Sequence, residues 1–349
     1  MLGKSIVALA GALAILAGAA RAETPAEFYR GKQVILVVGY APGGGYDVYA
    51  RLVARHIGRK IPGEPVVVVQ NMPGAGSLRA ANHIYANAPR DGTAFGTFSR
   101  NMPLMGVLGG NKNVLYDPRK FTWLGSPTSA QDDAYMLFVR ADSKAKTFDD
   151  LTRPGGPEVI VGGTSEGATG NDVALLIRDA AGARIKLIHG YRDSNALFPA
   201  IERGELEGRF VGLSAVAATQ PHWLRPGSPV RPLLQFARAQ RHPSFPDIPT
   251  AREKAKDPAA RLLIEAAEIP YMLSRPFVAP PDVPADRAKA LQDAFMAMAR
   301  DADFIVDAKK INVDVSPVGA ADAMRMLDLL AAAPQDIKDK LKELFSAER

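Results

Sequence analysis

Short runs of apolar residues alternate with amphipathic segments through most of the chain. The runs have the length of buried strands, and the segments between them place apolar residues at helical spacing. Strands and helices that alternate in this way are typical of βαβ units and parallel sheets. The pattern predicts strands over residues 34–38, 66–69, 93–99, 134–139, 159–161, 185–188, 208–211 and 231–236, and helices over 46–57, 77–87, 171–181 and 196–202.

The last third of the chain changes to a mainly helical pattern. A helix is predicted from near Ala285, and two more over residues 303–310 and 320–332. We expect these helices to pack back on the first sheet. A chain that builds one domain, then a second, and then returns crosses between them twice. The predicted first domain covers residues 23–130 and 249–349, the second covers 131–248, and the crossings lie near 125–133 and 243–250.

The N-terminus predicts export from the cytoplasm. Lys4, an apolar run over residues 6–17 and the triplet Ala20-Arg21-Ala22 have the order of a signal peptide cleaved after residue 22. An uncleaved anchor is the alternative, but the run is too short and too rich in Ala and Gly for a stable span. The chain has no cysteine, so neither a lipid-modified cysteine nor a disulfide is expected. The prediction is a soluble periplasmic protein without a lipid anchor.

Composition narrows the function classes. Removing residues 1–22 takes away two positive charges, Lys4 and Arg21, and lowers the formal net charge from +6 to +4. The remaining positive charges form no basic block, so nucleic acid is not an expected partner. The five histidines show no metal-ligand spacing. We therefore expect no metal and no cofactor.

Three glycine-rich loops each follow a predicted strand and precede a predicted helix. They are loop 1 (residues 40–47), loop 2 (73–77) and loop 3 (162–170). This arrangement aims free backbone N–H groups of a helix N-terminus at a bound anion. Loop 1 has neither the G-x-x-x-x-G-K-[ST] nor the G-x-G-x-x-G pattern, which argues against a nucleotide site. For the helix after loop 3, we expect Thr169 or Asn171 to supply the cap.

Several polar side chains near these loops are candidates for ligand contact, each with a structural alternative. Asp47 and Asp172 lie in first helical turns, where they either balance the helix dipole or contact a ligand ammonium group. Arg100 and Arg192 either bind a second carboxylate or lie on the surface. The remaining candidates sit at strand ends and are Ser99, Asn101, Tyr191 and Ser214. The tryptophans, Trp123 and Trp223, are expected to serve packing.

An enzyme is the alternative class. Residues 163–167 satisfy the G-x-S-x-G pattern around Ser165, between a predicted strand and a predicted helix. Three further small residues separate the pattern from the helix, so the sharp turn of a nucleophile elbow is missing. A hydrolase with this motif also needs an acidic residue and then a catalytic histidine late in the chain, after the serine. No histidine follows His242. A secreted serine hydrolase using Ser165 is therefore a remote alternative, and the protein is expected not to be an enzyme.

At these loops the sequence resembles the periplasmic receptors of tripartite tricarboxylate transporters, the TctC or Bug-type solute-binding proteins. That family has a loop of the form aPGGgxD, then V-x-N-x-P-G-A-G, A-x-x-D-G, a G-Y turn, a G-E/Q-x-x-G turn and P-D-x-P-T. The matching segments stand in the same order over nearly the whole chain after residue 22: residues 41–47, 69–76, 88–92, 190–191, 204–208 and 246–250.

The resemblance implies an α/β, two-domain type II periplasmic-binding-protein fold, with a hinge and a ligand cleft between the domains. It implies a monomer that binds a small organic acid and delivers it to the integral-membrane permease subunits of a tripartite tricarboxylate transporter. A ligand-sensing partner of a membrane kinase would look the same in sequence. Tyr46, where many members have Thr or Ser, favours a bulkier or aromatic ligand. Adding the loop residues to the candidates above, the predicted ligand-binding set is Tyr40, Pro42, Gly43, Gly44, Gly45, Tyr46, Asp47, Ala75, Gly76, Ser77, Ser99, Arg100, Asn101, Thr164, Ser165, Thr169, Gly170, Asn171, Asp172, Tyr191, Arg192 and Ser214.

Overall fold

The computed structural model describes residues 23–165 and 167–346, so the predicted signal peptide lies outside the described residues. Eleven strands are found in this part of the chain. They are β1 (Gln33–Val38), β2 (Val66–Asn71), β3 (Ala94–Thr97), β4 (Thr122–Ser126), β5 (Tyr135–Arg140), β6 (Val159–Gly162), β7 (Ile185–Ile188), β8 (Gly208–Gly212), β9 (Val230–Phe236), β10 (Phe277–Ala279) and β11 (Val318–Gly319).

Thirteen α-helices connect or flank these strands within the same described residues. They are α1 (Pro25–Tyr29), α2 (Gly45–Ile57), α3 (Leu78–Ala86), α4 (Met102–Leu108), α5 (Asp149–Thr152), α6 (Thr169–Ala180), α7 (Ser194–Glu202), α8 (Leu213–Thr219), α9 (Pro258–Glu268), α10 (Ala285–Ala299), α11 (Ala302–Lys310), α12 (Ala320–Ala332) and α13 (Gln335–Ser346).

Sheet 1 has six strands in the order β11-β4-β10-β3-β1-β2. β1 is parallel to both β2 and β3, as the βαβ pattern predicts. β10 comes from the last third of the chain, lies between β3 and β4, and runs antiparallel to both. The sheet therefore depends on a strand that is far from its neighbours in sequence.

Sheet 2 has five strands in the order β7-β6-β8-β5-β9. β6 is parallel to β7 and β8, whereas β5 is antiparallel to β8 and β9. The prediction of parallel sheets is therefore wrong for β5, β10 and β11, the last of which runs antiparallel to β4. β5 and β10 are each the first strand that the chain forms after it changes sheets, so each enters from the opposite end.

The chain passes from sheet 1 to sheet 2 between β4 and β5, and it returns between β9 and β10. α9 lies in the returning segment and packs against α6, the helix that follows β6. The chain therefore re-enters sheet 1 only at β10. The domain bounds at residues 130 and 248 stay a prediction. Sheet 1 with its helices is called lobe 1, and sheet 2 with its helices is called lobe 2.

The C-terminal helices do not all pack on the same layer. Residues of α2, α10 and α11 form one buried apolar cluster with β1. α10 and α12 both pack against β4. α13 instead packs against α6 and α9, and against α4 of lobe 1. The expectation that the C-terminal helices pack on the first sheet is therefore wrong for α13, whose apolar stripe of Ile337, Leu341 and Leu344 is buried between helices of both lobes.

Two helices that begin at glycine-rich loops have N-termini without a side-chain cap. Gly44 is the N-cap of α2, and Ala168 is the N-cap of α6. The prediction that Thr169 or Asn171 caps α6 is wrong, because both residues lie inside its first turn. A helix N-terminus that no side chain caps keeps backbone N–H groups available to another partner.

Candidate ligand-binding site

A cavity of about 310 Å³ lies between the two lobes, where loops 1, 2 and 3 meet. Loops 1 and 2 follow strands β1 and β2 of sheet 1, and loop 3 follows strand β6 of sheet 2, so both lobes contribute to the cavity wall. The predicted residues that line the cavity are Tyr40, Gly44, Gly45, Tyr46, Ala75, Gly76, Ser77, Arg100, Thr164, Ser165, Thr169, Gly170, Asn171, Tyr191 and Arg192.

The other predicted residues lie around this cavity without lining it. Pro42 and Gly43 are on the exposed outer edge of loop 1. Asn101 and Asp172 line a neighbouring cavity of about 550 Å³. The rest are buried beside the cavity wall and are Asp47, Ser99 and Ser214. The assignment of all these residues as ligand contacts stays a prediction.

Asp47 holds loop 1 in shape. Its carboxylate accepts hydrogen bonds from the backbone N–H of Gly43 (2.8 Å), from Arg51 Nε (2.8 Å) and from Asn71 Nδ2 (2.8 Å). Burial would raise the pKa of Asp47, but these hydrogen bonds outweigh it and hold that pKa below its usual value. The Asp47 carboxylate is thus fully engaged by groups of lobe 1. This favours a structural role for Asp47 at the start of α2 over contact with a ligand ammonium group.

Tyr46 fixes the contact between loop 1 and the end of β3. Its ring stacks on Tyr40 with 4.5 Å between centroids, and its hydroxyl accepts the backbone N–H of Arg100 (3.0 Å). The guanidinium carbon of Arg275 lies 4.6 Å from the same ring centroid. The Tyr46 ring is therefore engaged by protein groups, which weakens the expectation that it favours an aromatic ligand.

Asn171 braces loop 3 from inside α6. Its Oδ1 accepts the backbone N–H of Thr164 (3.1 Å), and its Nδ2 donates to the backbone carbonyl of Ser165 (3.2 Å). Loop 3 is thereby held against the first turn of α6. The open N-terminus of α6 faces the cavity through Ala168, Thr169 and Gly170, which line it.

The two lobes contact each other directly across the cleft. The Asn101 amide donates to Asp172 Oδ2 at 2.7 Å, and the Ser99 and Thr169 hydroxyl oxygens lie 2.8 Å apart. Two further hydrogen bonds join loops 1 and 2 to lobe 2: Gly76 N–H to Ser165 Oγ (2.6 Å) and Asn195 Nδ2 to the Pro42 carbonyl (3.0 Å). Direct contacts of this kind define a closed arrangement of the lobes.

Two buried arginines share one carboxylate at the inner end of the cavity. Arg100 Nη1 lies 3.6 Å and Arg275 Nη1 lies 3.9 Å from Asp133 Oδ2. Asp133 Oδ1 is engaged by the backbone N–H groups of Ala134 and Ser214, each at 3.0 Å. Arg275 Nη2 also donates to Ser214 Oγ at 3.1 Å. One carboxylate thus serves two guanidinium groups.

A third buried arginine, Arg209 on β8, also lines the cavity. Its Nη2 donates to Ser194 Oγ (3.3 Å), and its guanidinium carbon lies 4.8 Å from the Phe198 ring centroid. Burial lowers the pKa of Arg209 to about 10, although Tyr135 opposes that shift. The guanidinium is still charged at neutral pH.

Sequence reasoning found Arg100 and missed Arg209 and Arg275. Arg209 stands among glycines and apolar residues in the predicted strand that became β8, and a charged residue in such a strand could have been recognised as a candidate. Arg192, the other predicted arginine, is exposed at the cavity mouth and pairs with Asp193 (3.0 Å). The expectation for the tryptophans is confirmed: Trp123 and Trp223 are buried, and each donates its indole N–H to a protein oxygen.

The α/β fold with two lobes and a cleft between them is that of the type II periplasmic binding proteins, as predicted. No protein-family model matches the chain. The protein from the TAR-I ttuE-ttuC' intergenic region of Agrobacterium vitis, described as a UPF0065 protein, is 32% identical over 165 residues, which is 46% of this chain and 45% of that protein. The chain spans less than half the length of the curated relatives it matches.

Solved structures resemble the chain over most of its length. Rpa4515 of R. palustris with adipate has a TM-score of 0.69 at 23% identity, covering 90% of this chain and 97% of that one. The periplasmic binding protein BugD has a TM-score of 0.70 at 17% identity (90% and 98%). MatC of Rhodopseudomonas palustris with malate has a TM-score of 0.66 at 19% identity (90% and 99%). The resemblance to Bug- and TctC-type binding proteins seen in the sequence is thus confirmed, and these structures show the fold.

Within the described residues, no helix is both long enough and apolar enough to cross a membrane.

Proposed function

We propose that this protein is a periplasmic receptor that binds a small organic acid between its two lobes and delivers it to a membrane transporter of the tripartite tricarboxylate type. The observation that carries the proposal is the cavity between the lobes. It combines the uncapped N-termini of α2 and α6 with buried arginine side chains. Both features favour a negatively charged group.

The cavity offers enough binding energy for a transport receptor. Each helix N-terminus contributes about 0.3–1 kcal/mol to the binding of an anion, and up to about 2 kcal/mol when partly buried. Each hydrogen bond to a charged ligand group adds about 1.5–3 kcal/mol. A few such contacts, less the cost of closing the lobes, correspond to a dissociation constant of about 1 μM, or about −8 kcal/mol. A receptor with that affinity can still release its ligand to a permease.

Closure of the lobes is the conformational step of this function. The hydrogen bonds between Ser99 and Thr169 and between Asn101 and Asp172 exist only when the lobes are together. A ligand that touches both lobes adds contacts that the open form lacks, so it shifts the equilibrium to the closed form. The closed form is then the one that a permease would recognise. No covalent step is required.

Two of the structural neighbours support an acid as the ligand. One is described with adipate and the other with malate. For the present chain, the transfer of this property is a proposal, because the identities are 23% and 19%.

A thermal-shift screen of residues 23–349 against carboxylates, amino acids and aromatic acids tests the proposal. A ligand at about 100 times its dissociation constant stabilises the folded protein by about 2.7 kcal/mol. That corresponds to a rise in melting temperature of several degrees. A rise with at least one acid, confirmed by calorimetric titration, is the expected result. The absence of any shift over the whole panel would overturn the proposal.

A further inference from the structure

The charged side chains at the inner end of the cavity belong to different lobes. Arg100 follows β3 and Arg275 precedes β10, so both guanidinium groups extend from lobe 1. The backbone N–H of Arg275 also donates to Ser126 Oγ at the end of β4 (3.0 Å). Asp133 precedes β5, and its Oδ1 accepts the backbone N–H of Ser214 at the start of α8, so lobe 2 holds the carboxylate. The two arginines and Asp133 thus form one charged group that spans both lobes.

This charged group is almost completely buried, yet its hydrogen bonds are incomplete. The exposed fraction is 2% for Arg100, 2% for Arg275 and 1% for Asp133. Within the described residues, no hydrogen-bond partner reaches Nε or Nη1 of Arg100, Nε of Arg275 or Oδ2 of Asp133. The two ion pairs, at 3.6 and 3.9 Å, are longer than hydrogen bonds. Donors in this state beside a cavity are available to a bound anion, and the unpaired carboxylate oxygen opposes one.

The charged group has an excess of one positive charge. Arg100 and Arg275 carry two positive charges, and Asp133 carries one negative charge. In the part of the chain that the structure describes, no other carboxylate lies within ion-pair distance of either guanidinium group. A singly charged anion therefore balances the group. A doubly charged ion would leave an uncompensated negative charge in a buried place, which is costly.

The three side chains converge on Gly212, which lines the cavity. A Cβ added at this glycine would lie 3.5 Å from Arg275 Nη2, 3.6 Å from Arg100 Nη2 and 3.7 Å from Asp133 Oδ2. An anion that accepts hydrogen bonds from both Nη2 atoms therefore also comes close to the Asp133 carboxylate. Two like charges about 6 Å apart inside a protein repel each other enough to weaken binding by about 10- to 100-fold.

We propose that Asp133 is a built-in counter-ion that determines which anions the inner end of the cavity admits. A singly charged group binds beside Arg100 and Arg275, and a doubly charged inorganic oxyanion such as sulfate is rejected. This inference rests on the proposed function and adds a selectivity to the same site. Because Asp133 offsets one of the two positive charges, it also keeps the affinity for an anion moderate. A receptor that must release its ligand benefits from that limit.

The test is calorimetric titration of residues 23–349 with sodium sulfate, in the unmodified protein and in Asp133→Asn. The amide has nearly the shape of the carboxylate, and its oxygen can still accept the backbone N–H groups of Ala134 and Ser214. The excess charge rises by one, from +1 to +2, and then matches that of sulfate. We expect sulfate to bind the variant at least about 100-fold more tightly than the unmodified protein. Adipate and malate should bind the variant about tenfold more tightly.

The matched control is Asp132→Asn, which removes a negative charge from the exposed neighbouring residue. Because solvent screens that charge, sulfate and acid affinities should stay within about twofold. A second variant, Asp133→Ser, removes the carboxylate and leaves more room, and it should gain sulfate binding as well. Melting curves in increasing sulfate follow the folding of each variant. A buried ion pair that loses one partner destabilises the fold, so ligand-free Asp133→Asn should melt at a lower temperature, and sulfate should raise that temperature.

The outcomes distinguish this inference from the proposed function. Equal sulfate affinities of the unmodified protein and both Asp133 variants would overturn the counter-ion. Variants that stay unfolded at every sulfate concentration would show that Asp133 serves folding, and they would overturn it too. Acids that bind Asp133→Asn more weakly than the unmodified protein would overturn it as well, because Asp133 would then contribute to binding. Failure of every acid to bind any form, with sulfate still bound by Asp133→Asn, would overturn the proposed function and leave the charge selectivity in place.

Discussion

Gly45 and Ala215 meet across the cleft so closely that a Cβ added at Gly45 would lie 2.8 Å from the Ala215 Cβ. Gly45 opens α2 of lobe 1, and Ala215 lies on α8, which follows β8 of lobe 2. Real Cβ atoms do not approach each other to that distance. Closure of the lobes therefore depends on the absence of a side chain at position 45.

Gly45→Ala should weaken ligand binding by preventing full closure. Overpacking of this kind costs about 1–3 kcal/mol in the closed form, or about 5- to 150-fold in affinity. The compensating double variant Gly45→Ala with Ala215→Gly should restore binding, and small-angle scattering should show the single variant to be more open. Equal affinities of the single variant and the unmodified protein would refute a closure contact at this position.

Gly44→Val should remove binding while the fold stays intact. Gly44 lines the cavity as the N-cap of α2, and the nearest atom to an added Cβ is the Ala41 carbonyl oxygen at 3.9 Å. The fold therefore has room for the side chain, but the isopropyl group competes with the ligand anion. We expect a loss of more than about 100-fold by calorimetric titration and an unchanged circular dichroism spectrum. Retained affinity would mean that the α2 N-terminus does not hold the ligand.

Ser165→Ala separates the receptor from the hydrolase alternative. Ser165 Oγ accepts the Gly76 N–H at 2.6 Å across the cleft, so the variant loses one hydrogen bond of the closed form. The expected cost is about 1 kcal/mol, or about fivefold in affinity. Neither form should hydrolyse a generic ester such as p-nitrophenyl acetate above background. Ester turnover that disappears in the variant would establish Ser165 as a nucleophile and contradict the receptor.

Asp314 should make the folded protein less stable as the pH rises towards neutrality. Burial, together with repulsion by Asp133 and Asp132, raises the pKa of Asp314 from 3.8 to about 6. Because the pKa is higher in the folded protein, its stabilising contribution is complete below pH 3.8 and is lost as the pH rises through about 6. Asp314→Asn avoids that loss.

Urea unfolding at about pH 4 and about pH 7.5 measures the effect of Asp314→Asn. At the higher pH the variant should exceed the unmodified protein in free energy of unfolding by about 1 kcal/mol, a value reduced for the partial solvent exposure of this carboxyl. At the lower pH the two should differ little. A variant that is less stable at the higher pH would show that the Asp314 carboxylate makes a favourable contact in the folded protein.

The elements that could be predicted from the sequence are those with a local signal. The strands that became β1, β2 and β6 follow from apolar runs, and loops 1 and 3 follow from glycines between a strand and a helix. α4 was missed, because Pro103 and Gly106 interrupt its helical pattern. β10 was missed because three residues are too short for a periodic signal.

The parts of the candidate site that were predictable are the loops formed by continuous segments of the chain. Loops 1, 2 and 3 carry their glycines in the sequence, but Arg275 reaches the cavity only because β10 returns to sheet 1. Asp47 illustrates the other limit: its three hydrogen bonds reach Gly43, Arg51 and Asn71. The contact with Asn71 joins the first turn of α2 to the last residue of β2, and the position of Asp47 in the helix alone gives no indication of it.

The insertion of β10 between β3 and β4 also bears on the order in which the two lobes can form. All strands of sheet 2 come from one continuous stretch of the chain, β5 to β9. Sheet 1, by contrast, needs residues 277–279 to form the strand between β3 and β4. Pairing over so long a separation is slow, because the intervening chain loses its freedom before the contacts are made. Sheet 2 can therefore assemble as soon as β9 has been synthesised. Sheet 1, whose strands precede loops 1 and 2, stays incomplete until β10 has followed, so the cavity between the lobes cannot form before most of the chain has been made.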